Sequence, residues 1–180
     1  MRYIIIILLL FYNTSFGSIF SDIDRLFTVV NDKQEIIIKD NIYTIDMRRL
    51  LHMTAMMESR YGTNNYKGRI AKTPMQYELA TANYYTKIES ELTNYITKEL
   101  DIPLSPSDEL TWVCYSYIIY MSKLRWHRDW LDRHSKYLDD TGDLEWLIYK
   151  VLWNSIKGKS TYKKWKEREH EFSIHDFSDM

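Results

Sequence analysis

The spacing of apolar residues along the chain predicts a mainly helical protein. Between residues 18 and 34, apolar side chains recur every three or four positions, as they do on one face of a helix. The same period continues through residues 46–61, 75–100, 105–137, 144–156 and 160–170. A helix buries such a face against neighbouring elements, so we expect one helical core, with the helix of residues 105–137 at its centre.

One short stretch departs from the helical period. Residues 36–38 and 42–45 are rich in isoleucine and flank the polar sequence Lys39-Asp40-Asn41. Two β-branched runs around a short polar turn predict a hairpin, which we centre on Asp40 and Asn41. The predicted fold class is mainly α (α+β), a single helical domain with at most one small β-hairpin.

Residues that favour helix ends set the predicted boundaries. Glycine adopts the left-handed conformation after a helix at little cost, proline fits the first turn, and serine hydroxyls cap N-termini. The residues with these roles are Gly62, Pro74, Ser105, Gly158 and Ser160. The last helix is predicted to end near residue 170, and residues 171–180 to form a flexible polar tail.

Residues 1–17 have the composition of a secretory signal peptide. Arg2 precedes the apolar residues 4–10, and Ser15-Phe16-Gly17 has the small residues expected before a cleavage site. The apolar run is shorter than the roughly 20 residues that cross a bilayer, although an uncleaved anchor is an alternative. We therefore expect an exported chain, periplasmic or secreted, with no stable membrane insertion after cleavage and with residues 18–45 as its N-terminal segment.

Charge and composition narrow the function classes. The chain has 24 Lys and Arg against 25 Asp and Glu, which argues against a nucleic-acid-binding protein. One cysteine excludes an internal disulfide, and the five histidines are too scattered for a metal site, so we predict no metal or cofactor. The 15 Tyr and 6 Trp could fill the core or line a sugar groove.

A carboxyl group at the end of an apolar helix is the candidate for chemistry. Glu58 lies in the last predicted turn of residues 46–61, where Leu50, Leu51 and Met57 share a face and His52 points elsewhere. Burial penalises a charged carboxylate, and a helix C-terminus disfavours negative charge, so both effects favour a proton donor. The alternative is an ordinary solvated glutamate.

Three short motifs resemble those of the soluble (SLT-type), lysozyme-like lytic transglycosylases. That family carries Glu-Ser, then Gly-Leu-Met-Gln, then Ala-Tyr-Asn followed by glycines. The similar sequences here are Glu58-Ser59, Thr73-Pro74-Met75-Gln76 and Trp153-Asn154, with Gly158 at the place of a family glycine. The chain departs from the pattern where Thr-Pro replaces Gly-Leu, where tryptophan replaces the tyrosine, and where one glycine follows the asparagine.

The resemblance implies a lysozyme-like catalytic domain over residues 46–170, with the catalytic glutamate at the end of a helix. Its implied partners are peptidoglycan glycan strands, and a secretion, conjugation or phage apparatus is a further partner that the sequence leaves open. Glu58 would act as the single acid and base that cleaves the glycan and forms a 1,6-anhydro ring. Ser59 would orient it, Gln76 and Asn154 would bind N-acetyl groups or hold the acid, and Met75, Tyr149 and Trp153 would offer apolar faces to a sugar.

Each of these assignments has a plainer alternative. The two amides could be ordinary surface groups, and the apolar side chains could belong to the core. Glu78 could supply a second carboxylate, although a solvated helix residue is the simpler interpretation. Two other functions stay open, a hydrolytic lysozyme that uses water and a non-catalytic protein that binds the cell envelope.

Overall fold

A computed structural model describes residues 19–59, 75–105, 108–154 and 160–176, with side chains up to residue 171. The predicted signal peptide, and the boundary residues Gly62, Pro74 and Gly158, lie outside these ranges. The elements are α1 (19–26), β1 (Lys33–Ile38), β2 (Asn41–Asp46), α2 (Met47–Ser59), α3 (Leu79–Ile88), α4 (Ser90–Leu100), α5 (Glu109–Trp126), α6 (Arg128–Arg133), α7 (Lys136–Thr141), α8 (Leu144–Ile148), a π-helical segment (Tyr149–Trp153) and α9 (Tyr162–Asp176). The predicted fold class, mainly helical with one small hairpin, is confirmed.

The hairpin forms where the isoleucine runs predict it. β1 and β2 pair antiparallel, with Ile37 opposite Ile42. The turn consists of Lys39 and Asp40, whose φ angles of 47° and 63° are those of a type I′ turn. The prediction placed the turn one residue too late, since Asn41 already belongs to β2.

Helix α2 is buried on nearly every side. All residues from Leu50 to Met57 are buried, including His52, which the helical period had placed away from the apolar face. The His52 ring packs on Phe20 of α1, with 4.5 Å between the ring centroids. Both strands and helices α5, α8 and α9 also contact α2. The centre of the core is therefore shared by α2 and α5, whereas the sequence assigned it to α5 alone.

Three predicted helices are interrupted. The helix predicted from Pro74 to Leu100 begins at Leu79 and breaks at Glu89. The helix predicted to run to Tyr137 ends at Trp126, and the shorter α6 and α7 follow it. In the helix predicted over residues 144–156, α8 ends at Ile148 and the π-helical segment follows. Apolar spacing persists across a break of one residue, so the period alone could not locate these ends.

Two helix starts also differ from the prediction. The Asp108 carboxylate, rather than the Ser105 hydroxyl, caps α5 by accepting from the Thr111 N–H at 3.2 Å. At α9 the Thr161 hydroxyl, rather than that of Ser160, accepts from the Lys164 N–H at 3.3 Å. The same helix continues to Asp176, so the tail predicted from residue 171 begins as helix.

An ion-pair network joins α2 to the C-terminal part of the chain. The Arg49 guanidinium lies 2.9 Å from the Asp143 carboxylate and 2.5 Å from that of Glu169, and it also bonds Glu145. Asp143 in turn accepts from the Trp165 indole N–H at 3.1 Å. The network therefore fixes α8 and α9 against α2. Among the helices that the structure describes, none has the length and apolar character that a membrane span requires.

Candidate active site

Glu58 lies in the last turn of α2, and its side chain is half-buried. The Tyr149 hydroxyl donates a hydrogen bond to its Oε1 atom over 2.8 Å. Tyr149 is fully buried at the start of the π-helical segment. The carboxylate predicted from the end of a helix is thus in contact with the C-terminal part of the fold.

Two buried phenols surround this carboxylate. Burial raises the pKa of Tyr149 far above its ordinary value, and the charge of Glu58 raises it further. Burial also raises the pKa of Tyr120, although its bond with Thr54 acts the other way, and the Glu58 charge adds to the rise. Both phenols therefore stay protonated at any physiological pH, and Tyr149 remains a hydrogen-bond donor.

The environment of Glu58 contains influences that act in opposite directions. Partial burial disfavours the ionised carboxylate, because a charge loses hydration there. The hydrogen bond from Tyr149 favours the ionised form, because a donor stabilises negative charge on the oxygen. The sequence identified burial and the helix C-terminus, which both favour the protonated form, but not the hydrogen bond, since it assigned Tyr149 to a sugar-binding surface.

The π-helical segment sets the spacing between Tyr149 and Asn154. The Asn154 N–H donates to the Tyr149 carbonyl at 2.9 Å, five residues back, so both residues lie on the same side of this turn. Lys150, also buried, donates to the Ser160 carbonyl at 3.0 Å and lies 3.5 Å from the Asn154 side-chain oxygen. The Ser160 hydroxyl in turn lies 3.2 Å from that of Tyr149. A chain of contacts therefore connects Glu58 with Asn154.

Trp153 connects the segment that carries Gln76 to the same part of the fold. Its indole N–H donates to the Met75 carbonyl at 3.0 Å. Its ring stacks on Tyr120, with 4.6 Å between the centroids, and meets the Tyr77 ring edge-on at 6.1 Å. The residue following Met75, Gln76, is therefore held next to a rigid aromatic cluster.

Gln76 has a strained backbone. Its φ angle of 54° lies in the left-handed region, which costs a residue with a Cβ atom roughly 1–2 kcal/mol. Its side chain is half-buried. Such strain persists only where the surrounding structure fixes it, and it is common in residues that serve a function.

Three apolar side chains assigned to sugar contact belong instead to the core. Met75 and Tyr149 are fully buried, and Trp153 is partly buried among aromatic rings. Methionine and aromatic residues at helical spacing fill cores as readily as they line grooves, so the period could not separate the two roles. Of the three, Tyr149 contacts Glu58, and Trp153 bonds Met75.

Ser59 is also fully buried, and its hydroxyl donates to the Ala55 carbonyl in its own helix at 3.4 Å. Tyr120, Lys150 and Ser160 were not predicted from the sequence to belong to the site. The one sequence signal for any of these three was Lys150, a charged residue within the apolar run of residues 146–153.

In the parts of the chain that the structure covers, no three His, Cys, Asp or Glu side chains are placed to share a metal ion.

Comparison with known proteins identifies no relative of this chain. No protein-family model, curated protein or solved structure matches the chain. The functional assignment therefore depends on the three motifs and on the contacts around Glu58.

Proposed function

We propose that the protein is a peptidoglycan lytic transglycosylase that acts outside the cytoplasm, in the periplasm or after secretion. It cleaves the β-1,4 bond between N-acetylmuramic acid and N-acetylglucosamine, with Glu58 as its single acid and base. The observation that carries the proposal is the half-buried Glu58 carboxyl at the end of α2, hydrogen-bonded at 2.8 Å by the buried phenol of Tyr149.

The reaction needs both protonation states of one carboxyl group. Protonated Glu58 donates its proton to the oxygen of the glycosidic bond, and that bond breaks. The ionised Glu58 then takes the proton of the sugar's own 6-hydroxyl, whose oxygen forms a bond to the anomeric carbon. The product is a 1,6-anhydro ring, no water is consumed, and the carboxyl returns to its protonated state.

The surroundings of Glu58 suit this double role. Partial burial favours the acid needed in the first step, and the Tyr149 hydroxyl stabilises the carboxylate present in the second. Gln76 and Asn154 carry amides, which can donate to and accept from the N-acetyl groups of the substrate. Ser59, Met75 and Trp153 shape the wall behind these groups.

The decisive experiment is a digest of purified peptidoglycan sacculi by the chain from residue 18 onward. We expect released fragments whose muramic acid ends are lighter by one water than those of hydrolysis, because the 6-hydroxyl replaces water as the nucleophile. Chromatography with mass detection separates the two kinds of end. Hydrated ends would instead indicate a hydrolytic lysozyme, and the absence of cleavage with retained binding would indicate a non-catalytic envelope protein.

Tyr149→Phe should move the alkaline fall of kcat/KM to higher pH. The first step needs protonated Glu58, so kcat/KM falls as this group ionises. Without the Tyr149 hydroxyl the ionised form loses a charge-assisted hydrogen bond, and ionisation then requires a higher pH. The measurement is the pH dependence of kcat/KM on a soluble glycan fragment.

Tyr117→Phe is the matched control for this change. Tyr117 is another buried tyrosine of the core, and its pKa is raised by burial without a contribution from Glu58. Its replacement should leave the pH profile in place. An unshifted profile in Tyr149→Phe would mean that the phenol does not stabilise the reacting carboxylate.

A further inference from the structure

A partly buried lysine on α5 contacts the π-helical segment. The Lys123 ammonium, on α5, donates to the Leu152 carbonyl over 2.6 Å. It also lies 5.7 Å from the centroid of the Trp153 ring and 5.9 Å from that of Tyr85. One cation therefore touches the backbone and an aromatic side chain of the same turn.

Two interactions partly offset the cost of burying a cation at this position. Leu152 lies in the last turn of the π-helical segment, at the C-terminal end, where helix carbonyls carry partial negative charge. A positive charge near such a terminus is stabilised by the helix dipole, and the two rings add cation–π attraction. Lys123 thereby caps the segment that carries Tyr149 and Asn154.

No carboxylate pairs with Lys123 in the described parts of the chain. Burial alone lowers its pKa from 10.5 to about 8. On the neighbouring elements, Glu89 is paired with Arg125 at 2.9 Å, and Lys150 bonds the Ser160 carbonyl. The adjacent phenols of Tyr85 and Tyr120 are neutral, since burial raises the pKa of both.

We infer that Lys123 is a positioning residue for the proposed glycan cleavage, holding the π-helical segment and Trp153 in the arrangement that presents Tyr149 and Asn154. The inference rests on the proposed function. Lys123 would then affect catalysis indirectly, through the π-helical segment, without touching the substrate. Its contribution depends on the protonated form, because a neutral amine loses both the dipole interaction and the cation–π attraction.

A stability measurement separates this role from a merely structural one. Because the pKa of Lys123 is lower in the folded chain than in the unfolded chain, the unfolded chain binds more protons between pH 8 and 10.5. The charged ammonium therefore lowers stability at neutral pH, and this cost disappears as pH rises through that window. Replacing Lys123 by an apolar side chain of similar length should not lower the thermal midpoint at pH 7.

The test is Lys123→Met, with the exposed Lys87→Met on α3 as the matched control. We expect kcat to fall by about 10-fold to 100-fold, the effect of misplacing a reacting group, with KM little changed and the thermal midpoint equal or higher. Lys87→Met should change none of these. An unchanged kcat in Lys123→Met overturns the inference.

A readout independent of activity distinguishes failure of this inference from failure of the proposed function. In NMR spectra the indole N–H of Trp153 should shift with a midpoint near pH 8 in the wild type and should not titrate in Lys123→Met. The backbone amide of Asn154 should also move between the two proteins. If the wild type cleaves no glycan, the proposed function fails. If the Trp153 and Asn154 resonances are the same in the wild type and in Lys123→Met, the positioning role is overturned, whether or not glycan is cleaved.

Discussion

Glu58→Gln should lower the rate of glycan cleavage by about 10²-fold to 10⁴-fold, the contribution typical of general acid–base catalysis. The glutamine amide has nearly the same shape but cannot donate a proton to the glycosidic oxygen or accept one from the 6-hydroxyl. Its carbonyl oxygen can still accept from the Tyr149 hydroxyl, so the contact between α2 and the π-helical segment is retained. The measurement is clearing of purified sacculi together with the yield of released fragments.

Two further variants test whether the loss of rate is specific to Glu58. Glu99→Gln removes an exposed carboxylate from α4 and should leave the rate unchanged, which controls for a general effect of charge. Glu78→Gln removes the exposed carboxylate before α3, the other candidate acid near Gln76. An equal loss in Glu78→Gln would favour a mechanism with two carboxylates. Clearing by Glu58→Gln at the wild-type rate would remove the enzyme assignment.

The parts of the fold set by local chemistry could be predicted from the sequence. Two runs of β-branched residues around a short polar turn predict the hairpin, because such residues favour strands and the turn lets the two strands pair. The apolar period of residues 46–61 determines α2, which places Glu58 in its last turn. Both features depend on residues within a few positions of one another.

The environment of Glu58 could not be predicted in the same way. Its hydrogen bond joins two residues that are 91 positions apart, and no local pattern records which buried tyrosine will meet a given helix end. The π-helical segment could not be predicted either, because residues 144–156 keep an apolar period suited to an ordinary α-helix. The sequence therefore predicted the position of Glu58 at a helix end, but not that a buried Tyr149 would donate a hydrogen bond to it.

Arg49→Met should lower the free energy of unfolding by about 3 kcal/mol, the cost of breaking a buried ion pair by removing one partner. The change leaves Asp143 and Glu145, both buried, and the partly buried Glu169 without their common cation. The repulsion among these three carboxylates then weakens the packing of α8 and α9 against α2. Urea unfolding at pH 7 measures the loss.

The neighbouring residue provides the control. Arg48 pairs with Asp24 at 2.6 Å, but both side chains are about two-fifths exposed, so Arg48→Met should cost less than about 1 kcal/mol.

The pH dependence of stability provides a second test of the Arg49 network. Burial raises the pKa of Glu169, but hydrogen bonds from Lys166 and Arg49 outweigh it and hold the pKa below 4.5.

A lowered carboxylate pKa contributes stability above the unfolded value, and this contribution is lost as the pH falls through the folded value. The difference in stability between the wild type and Arg49→Met should therefore narrow below about pH 4.5, because protonation of Glu169 removes the interaction that the variant lacks. A difference that stayed constant down to acid pH would mean that Arg49 acts through packing against the Trp165 ring, 5.9 Å from its guanidinium, rather than through charge. Equal losses in Arg48→Met and Arg49→Met would likewise show that burial of the paired carboxylates does not set the cost.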